Sequence, residues 1–483
     1  MRICVVGAGY VGLVTAAVIA GLGHQVSVVE KQPAKLEVLQ KGETPIFEEG
    51  LPTLVKENFR EGRLTFTGDL YAAAAEAEVV FIAVGTPARP DGSPDMAAFY
   101  QVRDTLCQLP PCAPDPDRNW RAPGRLAVIK STVPIGAGDA LQSFFQKNAV
   151  SRWQVINNPE FLRQGTALYD TTHADRIVIG AEEEDAAHLL MQIYTPLGRP
   201  VLLVDRCSAE MIKYAANAFL ATKISFINEI ACLCEQLNAD VEAVAHGMGM
   251  DLRIGRSFLK AGIGFGGSCF PKDLNALLSA GQMLQAPLPL ISAVTDVNSR
   301  QNLLLVHYLE GLCGSLQGLH VCLWGITYKP GTDDIRDAPS LVVLSELTAL
   351  GAHVTAYDPQ LKACCLVRQQ FPTLAVARDP YEAAARSEAI LLLTEWPEFA
   401  YLNWNRLRRL VRKALILDGR NFLEGSLVEA SGFDYAGVGQ KRYSLKRLLS
   451  MAVETKSQEQ ETGVQEKTIS GFRPASDLGM AVR

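Results

Sequence analysis

The sequence predicts an α/β protein in three parts: two doubly wound parallel sheets joined by a central helical domain with a long helix. Three observations carry this. In the first third, short β-branched runs alternate with longer helical patterns, the order in which a parallel sheet is laid down. Over 208–237 there is neither Gly nor Pro, and strong helix formers dominate. From His320 the alternation of apolar runs and helical patterns returns. The expected domains are 1–200, 201–312 and 313–451. The tail 452–483 is rich in Glu, Gln, Lys and Ser, has no hydrophobic period, and is expected to be disordered.

Strands are expected in the first part at 2–6, 25–30, 78–84, 125–130, 154–157 and 176–180, each ending in turn chemistry or polar residues. Ser208 is the expected N-cap of the long helix, with Glu210 suited to its first turn. Further helix is expected at 241–247 and from 274 to about 312. In the last part, strands are expected at 320–325, 353–358, 389–394 and 414–418. Ligands of open α/β sheets bind beyond the carboxyl ends of the strands, so those ends are where chemistry is sought.

Composition narrows the class. A chain of 483 residues, nearly half of them apolar and a fifth charged, has the balance of a soluble globular protein. A net charge of −6 and the lack of a basic stripe argue against nucleic acid as a partner. The eleven cysteines have no paired spacing, so neither a zinc site nor a disulfide framework is expected. Most of them, Cys112 among them, read as small hydrophobes in a reducing cytoplasm. The apolar stretch 11–23 follows Arg2 and could pass for a signal peptide. It reads better as the helix of a strand–turn–helix, and no stretch is long enough to span a bilayer, so no membrane partner is expected.

Gly7-Ala8-Gly9-Tyr10-Val11-Gly12 follows the first strand and opens a helix. Gly7 permits the tight turn, Gly9 a close backbone approach to a pyrophosphate, and Gly12 close packing of helix on strand. The helix N-terminus then presents free N–H groups to the phosphates. The next strand ends in Glu30, which can accept from ribose hydroxyls and repels a 2′-phosphate, favouring NAD over NADP. The first part is therefore a Rossmann-like domain, and the third repeats its grammar without the glycine motif. Thr86 and Thr132 follow strands and read equally well as cofactor contacts or as strand-end turns.

Cys269 sits in Gly264-Phe265-Gly266-Gly267-Ser268-Cys269-Phe270-Pro271-Lys272-Asp273. Glycines that let the backbone approach closely, followed by a thiol, a cation and a carboxylate, suit a nucleophile; a buried structural thiol is the plainer reading. Lys213 and Asn217 are spaced i,i+4 on the long helix and share a face, either a solvated one or the wall of a polar cavity. Glu160 follows a strand as either a general base or a turn residue.

Taken together, these segments resemble the family of nucleotide-sugar dehydrogenases. The resemblance runs from Met1 to about Leu449 through GAGYVG (7–12), GTP (85–87), STVPIG (131–136), NPEFL (158–162) and AEMIKYAANAFLATKISFINEI (209–230). It continues through MDLRIG (250–255), FLKAGIGFGGSCFPKD (258–273) and GITYKPGTDDIR (325–336). It implies a four-electron oxidation of UDP-glucose at C6 to UDP-glucuronate, with NAD as cofactor and no metal. Cys269 would form a thiohemiacetal and then a thioester, and Glu160 would activate the hydrolytic water. Lys213 and Asp273 would stabilise oxyanions, Asn217 would hold the sugar, and Thr132 would belong to the catalytic set.

The implied cofactor contacts are Gly7, Gly9, Tyr10, Val11, Gly12, Glu30, Lys35, Thr86, Thr132, Glu160, Lys272 and Arg336. The implied substrate contacts are Phe161, Leu162, Arg163, Lys213, Asn217, Arg253, Phe258, Leu259, Lys260, Gly266 and Lys329. Lys329 would clamp the UDP phosphates. Arg253 would reach a neighbouring subunit's site, so a homodimer or larger oligomer is implied. One departure stands out: the family's second glutamate is here Gln164, which cannot act as a base. Sister activities on GDP-mannose or a UDP-N-acetylhexosamine, and a non-catalytic NAD- or nucleotide-sugar-binding protein, are the alternatives.

Overall fold

The computed structural model describes residues 1–110, 124–150 and 152–450; Cys112 and the tail 452–483 lie outside them. The first sheet contains β1 (Arg2–Val6), β2 (Gln25–Val29), β3 (Leu64–Thr67), β4 (Val79–Ile82), β5 (Arg125–Ile129), β6 (Trp153–Asn157), β7 (Ile177–Gly180) and β8 (Val201–Val204). Their order is β3-β2-β1-β4-β5-β6-β7-β8, parallel throughout except where β6 meets β7 at Asn157 and Gly180. Every residue of β4, β5 and β6 is buried, as expected of apolar strands covered on both faces.

Two of these strands go beyond the sequence expectation. β3 and β8 are the two edge strands of the sheet. β8 also carries the first sheet to Val204, past the expected boundary at 200.

The central part hangs on the helix Arg206–Leu237, whose 32 residues span roughly 48 Å at 1.5 Å per residue. Its N-cap is Asp205, which accepts from the Ser208 N–H at 2.7 Å, so Ser208 lies inside the first turn. The helices Val241–Gly249, Phe270–Met283, Pro289–Asn302 and Leu304–Cys313 follow. The helix expected from 274 to 312 is thus three helices. Pro287 and Pro289 break it, with Gln285 at φ +54 turning the chain.

The second sheet contains β9 (His320–Trp324), β10 (His353–Tyr357), β11 (Ala375–Val376), β12 (Ala389–Leu392), β13 (Leu415–Asp418) and β14 (Asp434–Gly437). Its order, β11-β10-β9-β12-β13-β14, repeats that of the first six strands of the first sheet, and all neighbours are parallel. The chain is therefore two Rossmann-like domains joined by a helical domain with a long helix.

The two domains differ at the end of their second strand. Asp358, at the end of β10, is 1% exposed. Its Oδ2 accepts from the backbone of Ile326 and Thr327, the Thr327 hydroxyl and the Trp396 indole, at 2.7–3.1 Å. Among the described residues, Glu30, at the end of β2, accepts from Ala8 N (3.3 Å) and Gln32 N (2.8 Å).

Candidate active site

The first-domain loop is built to admit a dinucleotide. Gly7 lies at φ +104, and a Cβ there would stand 2.6 Å from the Ala83 carbonyl oxygen. A Cβ on Gly12 would run into the Gly7 carbonyl, so that glycine serves the packing of helix on strand. Gly9 faces nothing within 4 Å, and it N-caps the helix Tyr10–Gly21 without a side-chain partner. Free helix N–H groups thus face open space, the cradle a pyrophosphate needs. Val11 follows in the same turn, and Lys35 stands half-buried on the helix Pro33–Gln40. Thr86 donates to the Thr132 carbonyl at 2.7 Å, tying together the loops after β4 and β5.

Cys269 is the N-cap of the helix Phe270–Met283, with Pro271 in its first turn. Lys272 and Asp273 are therefore helical, where the sequence reading began the helix at 274. The glycines before the thiol approach protein groups. A Cβ on Gly264 would meet Asn298, on Gly266 the Asp337 carbonyl, and on Gly267, at φ +85, the Tyr328 ring. Gly266 thus serves the fit between the cysteine loop and the third domain.

Around the sulfur the long helix and the loop after β6 converge. Lys213 Nζ donates to Glu160 Oε1 at 2.9 Å, and the Leu162 N–H donates to Glu160 Oε2 at 2.9 Å. Asn217 Nδ2 donates to Asp273 Oδ2 and Lys272 Nζ to Asp273 Oδ1, both at 2.6 Å. Glu160, Lys213, Asn217 and Asp273 are all at least nine-tenths buried, so the i,i+4 pair lines a polar interior. Lys272 is engaged by Asp273, and the cation acting on the sulfur is Lys213. Burial raises the Cys269 thiol above its ordinary range and Glu160 raises it further, while Lys213 pulls it down. Burial also works against the Lys213 ammonium, but Glu160, Cys269 and Asp273 outweigh it and the net direction is upward.

The third domain supplies the other wall. Tyr328 packs on Gly267, and burial raises its hydroxyl, with Cys269 and Asp334 adding to the rise. Burial lowers the Lys329 ammonium, and Arg163 lowers it further. Arg336 binds Asp334 through Nε at 2.9 Å and Nη2 at 2.6 Å, and its carbonyl accepts from the Gly267 N–H at 3.0 Å. Tyr10, from the dinucleotide loop, donates to Asp333 at 3.1 Å, joining the first and third domains.

Not every expected contact faces this centre. The Leu259 side chain is 4% exposed in a separate apolar cluster with Ile227, Val241 and Val438, which leaves only its backbone for a ligand. Arg253 projects into solvent, paired with Asp251, and within one chain it touches none of the groups above. Lys260 lies 6.0 Å from the Phe422 ring. Phe258, at φ +65, meets Phe270 edge-on beside the cysteine. Phe161 sits under Arg176 and near Lys213, while Arg163 is held by Asp170.

Sequence reading missed a layer of supporting groups. Lys130 and Tyr194 both donate to Asn158 Oδ1, at 3.0 and 2.7 Å. The three line a cavity of about 50 Å³ behind Glu160, and burial pushes the Lys130 ammonium down to about 8. A charged residue closing the apolar run RLAVIK was the available signal. Glu48 accepts from Gly165 N (2.8 Å) and Ala167 N (2.6 Å), fixing the loop that follows Glu160. Nothing in its local sequence marked it.

The models of the UDP-glucose/GDP-mannose dehydrogenase family match in three pieces: the NAD binding domain over 1–198, the central domain over 207–300 and the UDP binding domain over 322–425. A UDP-glucose 6-dehydrogenase of Rhizobium meliloti is 42% identical over 449 residues, covering 91% of this chain and all of that protein. A UDP-glucose dehydrogenase structure from Pyrobaculum islandicum superposes with a TM-score of 0.80 at 37% identity, covering 87% of this chain and 94% of that one. A UDP-D-ManNAc dehydrogenase structure from Pyrococcus horikoshii gives 0.78 at 25% identity, covering 91% and 100%. An open Gly9 between constrained Gly7 and Gly12, a buried carboxylate at Glu30 and these matches lead to one conclusion: the chain belongs to the UDP-glucose/GDP-mannose dehydrogenase family and is an NAD-dependent dehydrogenase.

Proposed function

We propose that the protein is a UDP-glucose 6-dehydrogenase that takes C6 of UDP-glucose from alcohol to carboxylate without releasing the aldehyde. The observation that carries this is the meeting of Cys269 with two buried pairs, Lys213–Glu160 and Asn217–Asp273. A simple alcohol dehydrogenase needs no nucleophile; a four-electron oxidation gains from one that holds the intermediate.

NAD, held by the Gly7–Gly12 loop, Glu30 and the Thr86–Thr132 edge, supplies the hydride acceptor for each oxidation. After the first oxidation the thiol adds across the C6 aldehyde, sulfur bonding to carbon and a proton ending on O6, which gives a thiohemiacetal. Lys213 and Asn217 stabilise the charge that develops on O6 as the bond forms. Loss of hydride from C6 and of the hydroxyl proton leaves a thioester on Cys269. Glu160 takes a proton from water as it attacks; the C–S bond breaks, and the thiol recovers a proton as the carboxylate leaves. Gln164 has no part in that proton transfer. Lys329, Arg163 and the backbone of 258–260 are placed to meet the UDP-sugar.

We further propose that the protein works as a homodimer or larger oligomer in the cytoplasm. Met211, Phe219, Phe226, Leu233 and Leu237 form an exposed apolar stripe at spacings of eight, seven, seven and four residues along the long helix, and Arg253, paired with Asp251, projects outward where a second copy could meet it. A reducing compartment suits an enzyme that works through a thiol. Among the described residues no helix is long and apolar enough to cross a membrane.

The test is NADH released per sugar consumed, with UDP-glucose, GDP-mannose and UDP-N-acetylhexosamines offered in turn. Two NADH per UDP-glucose is expected. One per substrate would sink the covalent scheme, and turnover of another sugar alone would move the protein to a sister activity.

A further inference from the structure

Gln164 stands where the three domains touch. Its amide donates to Asp334 Oδ2 at 3.0 Å and, more weakly, toward Ser268 Oγ at 3.4 Å, while its carbonyl accepts from the Thr332 hydroxyl at 3.0 Å. Gln164 and Asp334 are each 7% exposed, so neither turns to water instead. Asp334 is already committed. Its two oxygens take the Arg336 guanidinium in a fork, and Oδ1 also accepts from the Arg336 N–H at 3.0 Å. An ionised carboxylate only accepts, so whatever faces it from position 164 has to donate. An amide does so; an ionised glutamate would leave two carboxylates in contact.

The Arg336 carbonyl accepts from the Gly267 N–H at 3.0 Å, two residues before the thiol. We propose that Gln164 is a positioning residue for Cys269: its amide fixes Asp334, Asp334 fixes Arg336, and Arg336 holds the Gly267–Cys269 segment. The residue that cannot replace a catalytic base is therefore a latch between the domains. The inference deepens the functional reading above and rests on it for its turnover measurement, though not for its thiol measurement.

The charged or titratable groups around the latch include Tyr10 of the first domain and Asp337 of the third, both coupled to Asp334. Asp334, Arg336 and Tyr328 come from the third domain, Cys269 from the cysteine loop, and Glu160 and Glu48 from the first domain. Burial alone would raise Asp334, but the Arg336 bonds, with help from Gln164, hold it below the usual carboxylate range. A glutamate introduced at 164 against that ionised partner keeps its proton to a higher pH than usual. While protonated, it donates as the amide does.

The test compares wild type, Gln164→Glu and Gln164→Ala in the full-length protein. Two quantities are followed from about pH 5.5 to about pH 8: alkylation of Cys269 by iodoacetamide, mapped to its peptide, and NADH formation from UDP-glucose. Gln164→Glu is expected to match wild type at the acid end and to fall about tenfold or more behind at the alkaline end. The added negative charge and the loosened Gly267–Cys269 segment both disfavour the thiolate. Gln164→Ala should lag by a similar factor at both ends, because it loses the contacts without adding a charge. Gln164→Glu that tracks or exceeds wild type at alkaline pH, or Gln164→Ala that equals wild type, overturns the proposal. Should wild type oxidise no nucleotide sugar, the functional reading fails, and alkylation still decides the latch.

Discussion

Lys213 and Glu160 meet at 2.9 Å with side chains only 4% and 8% exposed, one from the long helix and one from the loop after β6. Such a pair costs desolvation to form and costs more to break, because removing one partner strands the other charge. Lys213→Met should lower unfolding free energy by about 3–5 kcal/mol in urea titrations. The double variant Lys213→Met with Glu160→Gln should recover most of that loss. Equal instability of single and double variants would show that the ion pair is not what matters.

The thiol of the free protein should be a poor nucleophile at neutral pH. Burial and Glu160 raise it above 9.0, so iodoacetamide labelling of Cys269 should speed up as pH rises through the alkaline range. Removing Lys213 takes away the charge that opposes this shift, so Lys213→Met should push the labelling profile to still higher pH. Cys269→Ser should lose nearly all carboxylate formation while still binding nucleotide. Carboxylate yield like that of wild type from this variant would refute covalent catalysis.

Two glycines of one loop should respond differently to alanine. A Cβ on Gly9 meets no atom within 4 Å and its φ of −79 is ordinary, so Gly9→Ala should fold within about 0.5 kcal/mol of wild type. Calorimetry should nonetheless show NAD binding weakened about tenfold or more, because the methyl enters the space the pyrophosphate requires. Gly12→Ala drives a methyl into the Gly7 carbonyl and should fail in thermal unfolding before binding is reached.

Glu210 supplies a test by pH. It accepts from Gly136 N, Gly138 N and the Asn157 amide, yet burial raises its carboxyl to about 7 from an ordinary 4.5. Between those values the folded state binds a proton that the unfolded chain has released. Stability from that proton is therefore complete below about 4.5 and is lost as pH rises through about 7. Urea titrations should show a component of about 1.4 kcal/mol per pH unit inside this window that Glu210→Gln lacks. Parallel profiles for the two proteins would count against it.

Architecture was legible in the sequence wherever residues repeat. β1 appears at its expected bounds and the other long strands within a residue or two, because apolar runs closed by turn residues leave little choice. The strands that were not anticipated, β3, β8, β11 and β14, are the outer strands of the two sheets, which are not enclosed by a strand on both flanks. The cap at Asp205 was missed because Ser208, which also caps well, stands three residues later and donates to it. At the site, motif residues such as Glu160, Lys213, Asn217 and Asp273 could be named, but their pairing could not. Lys272 was nearest to Cys269 in sequence, while Lys213, 56 residues away, is the cation that lowers its thiol. Supporting groups such as Glu48 and Tyr194 act through backbone and amide contacts between distant segments, which no local pattern encodes.

Asp358 bears on what the third domain can do alone. Where its counterpart Glu30 keeps acceptor capacity for a ligand, Asp358 spends its carboxylate on the turn that follows β9 and on Trp396. The domain keeps the topology of a nucleotide binder while its recognition carboxylate has become a structural brace. Selectivity for a nucleotide must then rest on groups other than this carboxylate. Excised from its neighbours, this domain would be expected to hold its shape and lose its discrimination, so that recognition belongs to the assembled chain rather than to any module within it.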